Sequence, residues 1–188
     1  MTAILKPLII ICEGKSEDSY IRELRQFFVS LGFSLIPKMA NGAYNLMEMY
    51  KKTCKENRKS RIVIWCDGDF LKRKKNIPKE PLKALTNTWN FEDHLVLHLD
   101  KEKVLEWQSI CEKVNHFNNP MNKEAVKKNI RLLIPDYKKG VLPEQLVLNK
   151  ETLLKFLKNN YDSDIKFRSG FALLLAELIN YDRKSFQN

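Results

Sequence analysis

Two short stretches of this sequence carry acidic residues at spacings that suit a metal ion: Ile-Cys-Glu13-Gly14-Lys15-Ser16-Glu17 and Trp-Cys-Asp67-Gly68-Asp69-Phe. Magnesium is a hard cation that prefers oxygen ligands, keeps several of its waters, and is usually held by one or two carboxylates together with substrate phosphate oxygens. An Asp-x-Asp turn suits that task, because Gly68 lets the backbone bend tightly enough for Asp67 and Asp69 to face one ion. Phosphodiester cleavage needs the developing negative charge neutralised and a water or hydroxyl held in line, and one or two divalent ions supply both. Glu13 is then a ligand or a general acid and base, and Gly14 lets a phosphate approach the backbone. Glu17 either completes a second metal position or favours the start of a helix as a negative charge. Asp-x-Asp also occurs in glycosyltransferases and calcium loops, and Asp and Gly often shape solvated turns, so the place of these residues in the fold has to decide.

Other chemistries find less support. Lys15-Ser16 after Gly14 suggests a phosphate loop, but that motif needs a glycine five residues earlier, where this sequence has Ile9. His94 and His98 lie four apart without the Glu of a zinc-protease helix, and read as packing or substrate-facing residues. Cys12, Cys54, Cys66 and Cys111 form no Cys-x-x-Cys pair, so neither a zinc ribbon nor a redox dithiol is indicated. Cys12 and Cys66 read as small buried residues of strands.

The acids need elements that bring residue 13 to residue 67. Pro7 to Cys12 is an Ile-rich run short enough for a strand, and Ser16 to Leu31 repeats Tyr20, Ile21, Leu24, Phe27, Phe28 and Leu31 at helical spacing. Ser16 or Asp18 can cap that helix, and Gly32 stands just past its end, where a left-handed residue is often needed. Phe33 to Pro37 predicts a short strand, Ala43 to Asn57 a helix, and Arg61 to Cys66 a third strand. Strands alternating with helices predict an α/β fold, a parallel sheet flanked by helices. Ligands of such sheets gather beyond the carboxyl ends of the strands, the edge to which Glu13 and Asp67 are both delivered. Leu71 to Lys83, rich in Lys, Arg and Pro, predicts a loop. Beyond it the chain reads as helices over Phe91 to Leu99, Lys101 to Asn115, Lys123 to Leu133, Lys150 to Asn159 and Ser169 to Tyr181, with a strand over Leu95 to Leu99 as the alternative. A length of 188 residues fits one domain, with a core over residues 1–100 and a mainly helical C-terminal half, 101–188, packed on it.

Lys and Arg number 33 against 23 Asp and Glu, a net charge of +10 that favours a polyanion as partner. No apolar run approaches the ~20 residues of a membrane span, and the N-terminus lacks the pattern of a signal peptide. A cytoplasmic protein with no membrane partner is expected. Lys72, Arg73, Lys74 and Lys75, with Lys79 and Lys83, follow the Asp-x-Asp directly and suit phosphates flanking a scissile bond. Lys15 joins them beside Glu13. Lys123, Lys127, Lys128 and Arg131 suggest a second basic patch, and Trp89 or Phe91 suits stacking on an unpaired base, although both residue types are more often core.

Glu13-Gly14 closing one strand and Asp67-Gly68-Asp69 closing a later one resemble the two signature motifs of the Toprim domain. Cys12, Glu13, Gly14, Lys15, Ser16, Glu17 and Tyr20 are most similar to the RloB-like branch of that family. So are Phe91-Glu92, leading through Leu95 to His98, and Tyr137-Lys138-Lys139-Gly140, while Trp89-Asn90 stands where the branch usually has Pro-Cys. The resemblance implies a Rossmann-like Toprim core, dependence on Mg2+ or Mn2+, and nuclease activity in defence against phage. It implies Glu13 as general acid or base, Asp67 and Asp69 as metal holders, and Glu17 and Glu92 as further ligands. Lys138 or Lys139 then acts as a cation on the transition-state phosphate, unless the pair is merely solvated. Ribosomal-RNA maturases share the domain, so DNA and RNA both stay open as substrates. Two other readings also stay open: a noncatalytic nucleic-acid-binding subunit serving an ATPase or another defence component, and a metal-dependent nucleotide transferase or phosphatase. Self-association is open as well.

Overall fold

A computed structural model of the protein describes residues 5–68, 84–86, 90–119 and 121–180. Strands β1 (Lys6–Cys12), β2 (Phe33–Met39), β3 (Arg61–Cys66) and β4 (Ala84–Thr86) form one parallel sheet in the order β2-β1-β3-β4. Helices α1 (Lys15–Glu23) and α2 (Arg25–Ser30) connect β1 to β2, and α3 (Leu46–Glu56), entered through a 3-10 turn at Ala43–Asn45, connects β2 to β3. The C-terminal half is built of α4 (Phe91–Val96), α5 (Lys101–Lys113), α6 (Lys123–Leu133), α7 (Lys150–Tyr161) and α8 (Phe171–Leu178). The predicted α/β class, with its parallel sheet and mainly helical C-terminal half, is what the structure shows.

The sheet explains why β1 reads as an unbroken apolar run, since a strand covered on both faces has no polar side to alternate with. Leu8, Ile10 and Cys12 point into the larger core beside Val63 and Trp65, while Ile9 and Ile11 pack with Ile64, Cys66 and Leu46 in a smaller one. Helix α3 covers the smaller core, with Met47, Met49 and Tyr50 against it. The larger core joins both halves of the chain, because Tyr20 and Phe28 of the first half share it with Trp107, Phe156 and Phe171 of the second. Pro37, which has no N–H to donate, is tolerated because β2 lies at the sheet edge. Cys12 and Cys66 are buried free thiols, as expected, and burial holds the Cys12 thiol well above its ordinary pKa.

The structure differs from the predicted elements at identifiable places. The helix expected over Ser16 to Leu31 is interrupted at Leu24, where ψ of −7° unwinds one residue while the Leu24 side chain stays buried. Neither Ser16 nor Asp18 caps it, because α1 already begins at Lys15 after an extended Gly14. Gly32 does adopt the expected left-handed conformation, with φ of 83°. The alternative strand over Leu95 to Leu99 is not formed: Asn90 Oδ1 accepts from the Asp93 N–H at 3.1 Å and starts α4, which ends in a turn. β4 was not predicted, being three residues long and without a readable period. The predicted loop from Leu71 to Lys83 lies outside the described residues. Among those described, no helix is long and apolar enough to cross a membrane.

One side chain ties the halves together. Tyr20, fully buried on α1, has ring centroids of Trp65, His94, His98 and Phe171 within 5.6 Å, and its hydroxyl lies 3.0 Å from His98 Nε2. His94 is held in turn by Ser169 Oγ, 2.8 Å from Nδ1. Burial pushes His98 down to about 3 and His94 well below its ordinary value, so both imidazoles are neutral packing groups. Tyr20→Phe leaves a buried imidazole nitrogen without its partner and is expected to cost about 1–3 kcal/mol, measured as a lower urea midpoint at unchanged m-value.

Candidate functional site

Glu13 follows β1 directly and Asp67 follows β3, and the pairing of Cys12 with Trp65 sets these strand ends side by side. Both acids emerge at the carboxyl edge of the sheet, as the strand pattern predicts. Glu17, the third residue of α1, folds back toward the same edge: a Cβ built on Gly14 would lie 3.5 Å from Glu17 Oε2. Glu17 is only 5% exposed. Glu92 enters from α4, where the Tyr137 hydroxyl donates to its Oε1. Asp69, Lys72, Arg73, Lys74 and Lys75, together with Lys79, Lys83 and Trp89, lie outside the described residues, as does the side chain of Lys123.

Electrostatics place the four acids in one neighbourhood. Burial is the main cause that pushes the Glu17 carboxyl up to about 7, a hydrogen bond from its own backbone opposes it, and the charges of Glu13 and Glu92 add to the rise. Lys139 pulls it down. The Tyr137 phenol is driven far above its usual value, first by burial, then by Glu92, Glu17 and Asp67. It therefore remains a protonated donor at any working pH. The acids are spaced more loosely than a closed coordination sphere, and among the described residues only Asp93, Cys111 and His116 bring three donor atoms within 4.8 Å of one another. The all-carboxylate donor set fits Mg2+ or Mn2+, whose retained waters can bridge a wider spacing, and does not suit a softer metal.

The segment Tyr137 to Gly140 completes the site from far along the chain. Gly140 N–H donates to Ser16 Oγ at 3.0 Å, and Ser19 Oγ donates to the Gly140 carbonyl at 3.0 Å, so α1 satisfies both backbone groups of one glycine. Its φ of 80° is left-handed, and a Cβ there would stand 3.0 Å from Lys15 Cδ. Glycine takes this conformation without strain and leaves room for the Lys15 stem. This docking puts Lys139 within electrostatic reach of Glu17; both lysines are exposed, and the backbone of Lys138 bridges to Val141. Tyr137, Ser16 and Ser19 are site-building residues that sequence reasoning did not assign, although Tyr137 stood in a recognised motif. Phe91, expected as a stacking residue or as core, is core at 6% exposure.

The buried trio of Asp93, Cys111 and His116 is a different object. Met121 N–H donates to His116 Nδ1 at 3.0 Å, which leaves Nδ1 unprotonated and the ring proton on Nε2, facing Asp93 Oδ2 at 3.4 Å. Trp107 Nε1–H donates to Asp93 Oδ1 at 2.8 Å. A metal on Nε2 would require an imidazolate, and burial with the adjacent Asp93 charge holds the Cys111 thiol well up. Asp93 and His116 thus form a hydrogen-bonded anchor for α4, with the Cys111 thiol beside them.

Comparison with protein-family models, with curated proteins and with solved structures finds no match to this chain.

Two outcomes are expected. The Glu17 midpoint is raised from 4.5 to about 7 on folding, so the folded state binds this proton more tightly and its stabilising effect is full below pH 4.5. It is lost as pH rises to 7, by about 3 kcal/mol. In urea titrations with EDTA, Glu17→Gln should flatten that decline and exceed the wild type in stability at pH 8. Elemental analysis of the purified protein should find no stoichiometric zinc.

Proposed function

We propose that this protein is a Mg2+- or Mn2+-dependent phosphodiesterase of the Toprim type, of the RloB-like branch, that cleaves a nucleic acid in phage defence. The observation that carries the reading is the gathering of Glu13, Glu17, Asp67 and Glu92, from three separate segments, at the carboxyl edge of a parallel sheet with Lys139 beside them. The net charge of +10 suits a polyanionic substrate.

A bound divalent ion supplies neutralisation of the phosphorane charge and an activated water. The residues of the chain do the rest. Asp67 and Glu13, with Asp69, offer carboxylate oxygens at the strand ends. Tyr137 holds Glu92 by Oε1. Glu17, buried beside Glu13 and Glu92, offers a further carboxylate oxygen, and the family resemblance gives the role of general acid or base to Glu13. Lys139 offers its ammonium to a nonbridging phosphate oxygen.

The test is cleavage of labelled single- and double-stranded DNA, tRNA and ribosomal RNA with Mg2+ or Mn2+, comparing wild type with Glu13→Gln and with Asp67→Asn/Asp69→Asn. Metal-dependent cutting that falls at least 100-fold in both variants is expected. Salt-sensitive binding without cutting, equal in all three proteins, would replace this reading with a noncatalytic binding subunit.

A further inference from the structure

Resting on that proposed function, we infer that Tyr44 is a stacking platform for an unpaired base, which makes single-stranded nucleic acid, or a strand with a flipped-out base, the substrate class of this site. Tyr44 is 85% exposed, more than any other large hydrophobic side chain among the described residues. An exposed aromatic is ordinary on a protein surface, so its placement carries the inference. It stands on the short connection from β2 to α3, at the same carboxyl edge of the sheet as the acids. That connection is bonded to the strand that delivers Glu13, since Ala40 N–H donates to the Cys12 carbonyl at 2.8 Å and Gly42 N–H to the Glu13 carbonyl at 2.9 Å. The Tyr44 Cα is two residues on, at most about 7.6 Å from that of Gly42.

The connection is also prebuilt. Asn41 and Gly42 take positive φ of 56° and 123°, Asn45 Nδ2 donates to the Ala40 carbonyl at 3.1 Å, and Leu46 is fully buried. A ring held out on such a support loses little conformational entropy when a flat partner covers it. Beside a site for phosphate in a protein of net charge +10, the flat partner with the right chemistry is the base attached to a neighbouring phosphate. Stacking accepts every base, and a base inside a duplex already has both faces covered, so this platform selects strand form and not sequence.

The test is fluorescence anisotropy with labelled oligonucleotides, Ca2+ replacing Mg2+ to prevent turnover, for wild type, Tyr44→Ala and Tyr44→Phe. Circular dichroism should show unchanged folding, since the side chain is exposed. Tyr44→Ala should weaken single-strand binding about 5- to 100-fold and change duplex binding less than twofold, while Tyr44→Phe keeps wild-type affinity. An abasic site moved along the oligonucleotide should weaken wild type at one position, where Tyr44→Ala shows no further loss. Equal single-strand affinity of wild type and Tyr44→Ala overturns the stacking role and leaves the metal-dependent reading standing. No binding of any nucleic acid by wild type overturns both.

Discussion

A phenol buried without a partner costs about 1–3 kcal/mol, and Tyr20 has its partner in His98, seventy-eight residues away. That bond, with the rings of Trp65, His94 and Phe171 around it, fixes α1 against the C-terminal helices. Much of the site geometry follows from α1 being held there. Its first turn carries Lys15, Ser16 and Glu17, and one turn on, the same face as Ser16 offers Ser19 to Gly140. Moving α1 by one residue would separate Glu17 from Glu13 and release the Tyr137 to Gly140 segment together.

The electrostatic character of the edge comes from an imbalance. Four carboxylates meet there, and Lys139 is the cation that acts on Glu17. Burial and like charge together make full ionisation unfavourable, which is why one carboxyl holds its proton up to about pH 7. Under the proposed function, a cation arriving at the edge would relieve the same repulsion that weakens the fold at high pH.

The parts legible in the sequence are those governed by local pattern. The Ile-rich run before Glu13, the Arg61 to Cys66 strand before Asp67, and the left-handed Gly32 each follow from residue types a few positions apart, and the parallel sheet follows from their alternation with helices. What was not legible depends on distant partners. Ser16 looks like a helix cap by its position, yet its hydroxyl accepts from Gly140, 124 residues on. Lys138 and Lys139 are indistinguishable in sequence, and only the docking of Gly140 on α1 separates them. Phe91 and Tyr44 show the same limit, since nothing local says which aromatic ring is covered by the C-terminal half and which is left in solvent.

Adjacent residues of α4 show how a buried acid and an acid of the sheet edge are kept apart. Neighbours on a helix project in different directions, so Glu92 and Asp93 cannot serve one pocket. Asp93 is turned inward, where Trp107 Nε1–H and His116 Nε2–H face its two oxygens. With its oxygens so engaged, Asp93 sets the rotation of a helix only six residues long. The rotation in turn aims Glu92 at Tyr137 and the sheet edge. Because a buried carboxylate that loses one partner is costly, the anchor resists any rotation of α4, and Glu92 inherits that rigidity without sharing the buried bonds.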